Sequence, residues 1–308
     1  MTGEERRLER LKPNLERRAL IHQITRRFFD TRGFFEVDTP VRSPAIAPEK
    51  EIIPFDSEGW LLTTSPELYM KRLLAAGYSN IYQLSHCFRK SERGRLHNPE
   101  FTLLEWYRAF KDYTEMITDT EQLVLFISQE LGYGNVLRYQ GKTIDLKPPW
   151  SRITIQELYK QLAGWDPVNE PDPVSFDLDM VTKIIPHLNP HRPTVMLDYP
   201  AATASLARLK PGNPLVAERA EVFIGGLELA NGYSELNNRQ EQEARFRKEI
   251  EHIRLEQKRV APLPDKFLTA LERMPQCAGM ALGMDRLVML FCDAASIDEV
   301  IPFSVDTA

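Results

Sequence analysis

The chain has 308 residues, 43% of them hydrophobic, and 44 acidic side chains against 39 Lys and Arg give a formal charge of −5. No apolar run approaches the ~20 residues that span a bilayer, and the charged stretch 1–12 lacks the apolar centre of a secretory signal. These features exclude a membrane-spanning or secreted protein and point to the cytoplasm, while the acidic balance and the lack of a long basic tract argue weakly against a nucleic-acid binder.

Asn14 is placed to cap a helix with Leu15, Leu20, Ile24 and Phe28 on one side and Gly33 at its end. Residues 32–40 leave that helix and enter a strand. Short strands are expected over 51–55 and 61–64, and Ser65 and Pro66 start a helix over 66–76, a cap followed by proline in the first turn. Residues 81–89 and 101–110 read as strands joined by a basic polar loop. Side chains alternate along the return strand, so Phe101, Leu103, Glu105 and Tyr107 share one face and Thr102, Leu104 and Trp106 the other. An ionised Glu105 in this apolar setting is expensive without a partner, so a cation is expected opposite it, either a ligand or a structural arginine. Cys87, two residues from Arg89, reads as a small buried hydrophobe. With Cys277 and Cys292 it forms neither a disulfide framework nor a metal pattern.

A helix follows over 114–131. Residues 147–173 contain five prolines and read as irregular, inside an insertion over about 133–193. His187 and His191 have the spacing of a metal pair, but Pro190 argues against a continuous helix and no third ligand is near. Residues 238–260, rich in Glu, Lys, Arg and Gln, read as a solvated helix. Residues 279–290 form a small-residue strand running into an apolar helix, with Arg286 near the turn. No glycine-rich phosphate loop is present, so a bound ATP would be held by arginines, carboxylate-bound magnesium and aromatic stacking.

Segments 32–40, 88–107 and 279–290, in that order, resemble motifs 1, 2 and 3 of the class II aminoacyl-tRNA synthetases. The blocks Thr64-Ser65-Pro66-Glu67, His97-Asn98-Pro99-Glu100-Phe101 and Glu228-Leu229-Ala230-Asn231-Gly232-Tyr233-Ser234-Glu235-Leu236 are closest to the lysyl branch. The resemblance runs from about Asn14 onward and is weakest over 133–193. It implies an α+β fold, a class II synthetase-like catalytic domain with an antiparallel sheet flanked by helices, spanning 1–308 as a single domain. Because the motifs begin almost at residue 14, no anticodon-binding domain is expected. Within the lysyl branch the chain is similar to stand-alone paralogues that modify a protein. This implies (R)-β-lysine as the amino acid, elongation factor P as the protein substrate, and no stable tRNA binding. Motif 1 implies a homodimer.

Site roles follow from the same resemblance. Adenylation is attack of a carboxylate on the α-phosphorus of ATP, and a fixed guanidinium there stabilises the charge that develops. Arg89 matches the motif 2 arginine with that role. Arg286 matches the motif 3 arginine, which contacts the γ-phosphate and covers the adenine, with Phe101 on the other face of the base. His97 matches a phosphate-contacting histidine, and Asn98 stands beside it in the ATP-binding set. Glu221 and Glu228 match carboxylates that hold Mg2+ on the nucleotide. Glu67 matches the residue that receives the amino group near the reacting carboxylate. Glu105, Tyr107 and Glu235 match the pocket for the distal ammonium, and Asn231 a polar contact. Strand parity alone does not put Glu228 and Asn231 on one face, so a bulge or bend near Gly232 is expected. Ala230 stands where tRNA-charging lysyl enzymes have glycine; one added methyl in a pocket changes preference by roughly 1–3 kcal/mol, enough to favour β-lysine over α-lysine.

One departure stands out. Motif 2 of the family reads Phe-Arg-x-Glu, but here the fourth position is Ser91 with Glu92 following, so either Glu92 takes that role or backbone carbonyls read the adenine. Arg93 and Arg95 either guide the acceptor protein or belong to a solvated loop. Two other readings are a truncated lysyl-tRNA synthetase using α-lysine and a non-catalytic regulatory paralogue; Ala230 argues against the first, and Arg89, Arg286, Glu221 and Glu228 against the second.

Overall fold

Two compact units make up the computed structural model, which describes residues 2–256 and 258–308: one comprises residues up to 109, 237–275 and 282–308, the other residues 110–236 and 276–281. In the first, α1 (Gly3–Asp30) leads into the two-residue strand β1 (Phe35–Glu36), and α2 (Glu67–Ala75) precedes β2 (Asn80–Phe88) and β3 (Glu100–Ala109). β2 and β3 are antiparallel, with Gln83 opposite Glu105, Ile81 opposite Tyr107 and Cys87 opposite Phe101; β1 runs parallel to β2. This register fixes two faces. On one, Tyr82 and Trp106 are fully buried against Phe29 of α1, whose ring stacks on Tyr82 at 4.6 Å between centroids. Burying a large apolar side chain contributes about 1.5–3 kcal/mol, so α1 seals this face for stability. The other face, carrying Phe101, Glu105 and Tyr107, is left for polar work.

α1 starts twelve residues earlier than its sequence suggested, at Gly3 rather than after Asn14. Thr2 caps it: its hydroxyl accepts from the Glu5 amide at 3.1 Å, and the Glu5 carboxylate accepts from the Thr2 amide at 2.6 Å. Pro13 lies inside the helix and removes one internal hydrogen bond. Contacts to the C-terminal part of the chain hold the helix on either side of it. Arg7 donates to Thr307 Oγ1 at 3.1 Å, Asn14 to the Glu299 carbonyl at 2.9 Å, and Arg17 to the Phe291 carbonyl at 3.2 Å. Asn14 is therefore a mid-helix tether, and Leu20, assigned to the apolar side, is exposed. The charged helix Arg239–Leu255 is capped by Asn238 and is more than a solvated element: Phe246, Ile250 and Ile253 are buried, and the Phe246 ring lies 6.0 Å from that of Phe267 in the helix Asp265–Leu271. The two short strands of this region fall at Asp56–Ser57 and Trp60–Leu62, shifted from the expected spans.

In the second unit, α3 (Tyr113–Glu130) is followed by β4 (Ser151–Thr154), β5 (Thr194–Pro200), β6 (Asn213–Ile224), β7 (Leu227–Ser234) and the start of β8 (Cys277–Gly283), arranged in the order β8-β7-β6-β5-β4. β6 is antiparallel to both β5 and β7, while β4 and β5 are parallel. The stretch expected to be irregular holds β4 and the helix Ile155–Leu162, which Thr154 and Glu157 start with a capping box. Ile155, Leu158 and Tyr159 pack with Phe176, Met196, Tyr199 and Phe223 in one core cluster. The prolines sit outside this strand–helix pair, in connections or at a helix start. His187 and His191 each turn a ring nitrogen to a carbonyl, those of Lys183 and Thr143. Among the described residues no group of three or more His, Cys, Asp or Glu could hold a metal, and no helix is long and apolar enough to cross a membrane.

Gly232 sits where two backbones approach closely: a Cβ there would lie 2.4 Å from the Gly279 carbonyl oxygen and 2.9 Å from the Met280 Cα. Overpacking against backbone costs about 1–3 kcal/mol. Gly232→Ala is expected to lower the thermal unfolding midpoint accordingly; an unchanged midpoint would mean that β7 and β8 part at no cost.

Candidate active site

In the first unit, α2 and β3 assemble an acidic cluster around one buried carboxyl. Ser65, just before α2, donates its hydroxyl to Glu105 Oε1 at 2.5 Å, and the same oxygen of Ser65 accepts from the Glu67 amide at 3.0 Å. Tyr107, two residues along β3 and so on the same face, donates to Glu105 Oε2 at 3.0 Å. One turn into α2, the buried Lys71 ammonium donates to Glu67 Oε1. Glu105 is 2% exposed. Its carboxyl is pushed up to about 7, first by burial and then by the charge of Glu67, against the pull of the two hydroxyls and Lys71. Two hydroxyl donors hold Glu105 itself, and the ammonium of Lys71, which pulls its carboxyl down, bonds the other carboxylate.

Arg89 follows β2. Its Nε donates to the Thr64 carbonyl at 3.3 Å, its Nη1 to Glu92 Oε1 at 3.1 Å, and its guanidinium lies 5.0 Å from the centroid of Phe101. Glu92, one of the two alternatives for reading adenine, is here the partner of Arg89. Arg286, in the first turn of the helix Met284–Cys292, donates Nη2 to His97 Nε2 at 2.6 Å, which makes that nitrogen the unprotonated one. Its neighbour Asp285 aims the other way: it accepts from the Thr102 amide at 2.8 Å and is bridged by Arg18 of α1, clamping the helix to β3. Asn98, placed in the ATP-binding set, has both ends of its amide engaged by the chain itself. Nδ2 donates to the Glu100 carbonyl at 2.6 Å and Oδ1 accepts from the Val305 amide at 3.0 Å. Arg93 pairs with Asp306, and the Arg95 carbonyl accepts from the Ile297 amide at 2.9 Å, so the loop is braced by the C-terminal segment. Cys87 is wholly buried with its thiol pushed up to about 12, mainly by burial, as ordinary packing requires.

In the second unit, β6 and β7 pair with Arg219 opposite Tyr233, Glu221 opposite Asn231 and Val222 opposite Ala230; the register then slips, placing Phe223 opposite Glu228. The bulge leaves Leu229 as the extra residue and brings Glu228 to the face of Glu221 and Asn231. The expected irregularity exists, at Leu229 rather than near Gly232. Arg219 organises this face: Nη2 donates to Glu221 Oε1 at 2.7 Å, Nε to Asn231 Oδ1 at 3.2 Å, and the guanidinium lies over the Tyr199 ring at 4.6 Å. The Glu221 carboxyl is raised, by burial first and also by the charge of Glu228, with Arg219 opposing. Ala230 lies on the opposite face with Val222 and Ser234, whose hydroxyl accepts from the Tyr113 amide at the start of α3. Its methyl therefore packs toward α3, away from Glu221 and Asn231, and the direct pocket role assigned to it does not fit this register. Glu235 is buried, its amide donating to the Cys277 carbonyl at 2.9 Å.

Four side chains that bear on the site went unnoticed in the sequence. Ser65 and Asp285 sit inside recognised motifs, and Lys71 is four residues from Glu67, the helical spacing of an ion pair. Arg219 is two residues from Glu221 in a strand, which alone would have placed it on the same face.

The profile of the tRNA synthetases class II (D, K and N) matches residues 5–307. The elongation factor P–(R)-β-lysine ligase of Klebsiella pneumoniae (strain 342) is 39% identical over 318 residues, covering 96% of each chain. The proteins of the same name from Edwardsiella ictaluri (strain 93-146) and Salmonella arizonae (strain ATCC BAA-731 / CDC346-86 / RSK2980) are 39% identical over 321 residues and 37% over 318, again over 96% of each chain.

The raised Glu105 carboxyl has a testable sign. Its folded value of about 7 exceeds the ordinary 4.5. Its contribution to stability is therefore complete below the unfolded value and is lost as pH rises through the folded one. Between about pH 5 and pH 8 the unfolding midpoint of Glu105→Gln should fall less steeply than that of the native chain. Equal slopes would mean that Glu105 ionises as freely folded as unfolded.

Proposed function

The chain belongs to the tRNA synthetases class II (D, K and N), and on that premise we propose that it is an ATP-dependent ligase that activates (R)-β-lysine as an adenylate and transfers it to a lysine side chain of elongation factor P. Use of ATP comes with the family. The reading is supported by likeness over 96% of the chain to relatives that carry that name. The geometric observation that carries it is the buried cluster of Glu67, Glu105, Ser65 and Tyr107, an acidic receptor for an amino group on the same strand face as the aromatic Phe101.

In the first step a carboxylate oxygen of the amino acid attacks the α-phosphorus, a P–O bond forms, and pyrophosphate leaves with the electron pair of the broken bond. Arg89, fixed by Glu92 and the Thr64 carbonyl and backed by Phe101, is preorganised to meet the charge growing on the α-phosphate. Arg286 and His97 are joined and take the outer phosphates, with Arg286 also covering one face of the adenine. Phe101 supplies the ring against which the base stacks. In the second step the ε-amino group of the acceptor lysine attacks the activated carbonyl, an amide forms, a proton is lost, and AMP departs. Within the first unit, Glu67 orients the amino group near the carboxylate, while Glu105 and Tyr107 recognise the distal ammonium. Glu221 and Glu228 fit magnesium: two carboxylates on one face of the paired strands β6 and β7, the Glu221 carboxyl raised by burial first and also by the charge of Glu228. Bound there, Mg2+ would neutralise phosphate charge. The enzyme acts in the cytoplasm as a homodimer and without stable binding of tRNA.

Pyrophosphate exchange with (R)-β-lysine and α-lysine, followed by mass analysis of elongation factor P, tests this reading. Exchange with (R)-β-lysine and addition of one lysyl residue to the acceptor are expected. Charging of tRNA with α-lysine would overturn it in favour of a synthetase, and exchange with neither amino acid in favour of a non-catalytic protein. Arg89→Ala should lower the exchange rate by about 100- to 1,000-fold, the usual effect of losing one transition-state donor.

A further inference from the structure

We propose that Lys71 is a positioning and charge-matching residue of the amino-acid pocket, a resident ammonium that fixes Glu67, offsets its charge and so lets the neighbouring Glu105 ionise for the incoming distal ammonium. The inference rests on the reading of this cluster as the amino-acid site. It starts from a residue that stability alone does not explain. Lys71 is 1% exposed. A buried ammonium carries a desolvation penalty of several kcal/mol, and a well-packed apolar side chain in its place is often neutral or stabilising. Its surroundings are ready for such a replacement, since the Phe267 ring lies 5.9 Å from the ammonium.

The charges around it define what Lys71 does. Glu67, one helical turn earlier, is its direct partner. Glu105 on β3 feels both: the charge of Glu67 makes it harder to ionise and that of Lys71 makes it easier. Tyr107 from the same strand and Ser65 ahead of α2 donate to Glu105, and Cys87 on β2 feels its charge while remaining a buried thiol. With both carboxylates ionised, Glu67, Glu105 and Lys71 sum to −1. Without Lys71 the sum is −2 in a buried cluster, and one of the two carboxylates stays protonated. Like charges that share a buried site behave this way. A protonated Glu105 accepts an ammonium poorly and tolerates an uncharged side chain, so the ammonium of Lys71 is a source of selectivity for a diamino acid.

The experiment compares Lys71→Met, Lys71→Arg and the native chain. In the native enzyme, kcat/KM for (R)-β-lysine in pyrophosphate exchange should rise with pH through a limb near 7, the value of the buried acid. In Lys71→Met that limb should move up by about one unit, since an opposite charge lost at close range is worth about 1–3 units. The rate then falls about fivefold at pH 7 and recovers near pH 9. Preference for (R)-β-lysine over an uncharged isostere of equal length should narrow in the same variant, and Lys71→Arg should restore both. A merely structural Lys71 would lower the rate equally at every pH, with neither limb nor preference moving, and that result overturns the inference. A readout independent of activity is the pH dependence of thermal unfolding of the ligand-free protein. The stability lost on ionising Glu105 should fall at higher pH in Lys71→Met than in the native chain, and superimposable curves also overturn it. Absence of exchange in the native enzyme would instead remove the amino-acid reading, while the unfolding curves would still decide the electrostatic role of Lys71.

Discussion

Two buried carboxylates beside a buried ammonium are the constraint on which the first unit depends. An isolated buried charge is expensive enough that proteins neutralise it or pair it. Here the chain does some of each: Lys71 pairs Glu67, while Ser65 and Tyr107 hold a Glu105 that is poised between its two forms. The rest of the unit keeps that arrangement rigid. α1 closes the far face of the hairpin with Phe29 against Tyr82, so that the near face can carry polar groups without the sheet losing its core. α2 begins at the cluster itself, with Ser65 bonding both the Glu67 amide and the Glu105 carboxylate.

The same economy of faces governs the second unit. In β6 and β7, small and apolar residues, Ala220, Val222 and Ala230, are buried on one side, while Arg219, Glu221 and Asn231 are bonded together on the other. A regular strand would send Glu228 to the side of Ala230. The single extra residue at Leu229 reverses it. The helix Ile155–Leu162 and its neighbours bury Phe223 and Met196 further along the polar side, so the insertion is a wall for that face and not slack in the chain.

How much of this the sequence disclosed follows from which physical rule was local. Strand alternation put Phe101, Glu105 and Tyr107 together, and the β2–β3 register agrees. The Ser65–Pro66 signal located α2 to within a residue. What failed were properties decided by distant partners. Asn14 looked like a cap because the apolar residues Leu15, Leu20, Ile24 and Phe28 follow it, but the true cap is Thr2, and the contacts that carry the helix past Pro13 come from residues near 300. The prolines of 147–173 outweighed a Thr154–Glu157 capping box that was there to be read. The hydroxyls of Ser65 and Tyr107 that hold Glu105 were not foreseen as its donors, because Ser65 comes from a segment 40 residues earlier. The position of the bulge depends on how β6 and β7 slide past each other, which no single-strand pattern reveals.

The bracing of the hairpin loop has a consequence for the life of the molecule. Asn98 bonds the amide of Val305, 207 residues further along the chain, and the Arg95 carbonyl waits for Ile297. At 5–20 residues per second, about 10–40 s of translation separate the two halves of that contact. The nascent chain thus carries its arginine-bearing loop without these two braces over that interval. Until Ile297 and Val305 have been made, the loop lacks these two bonds.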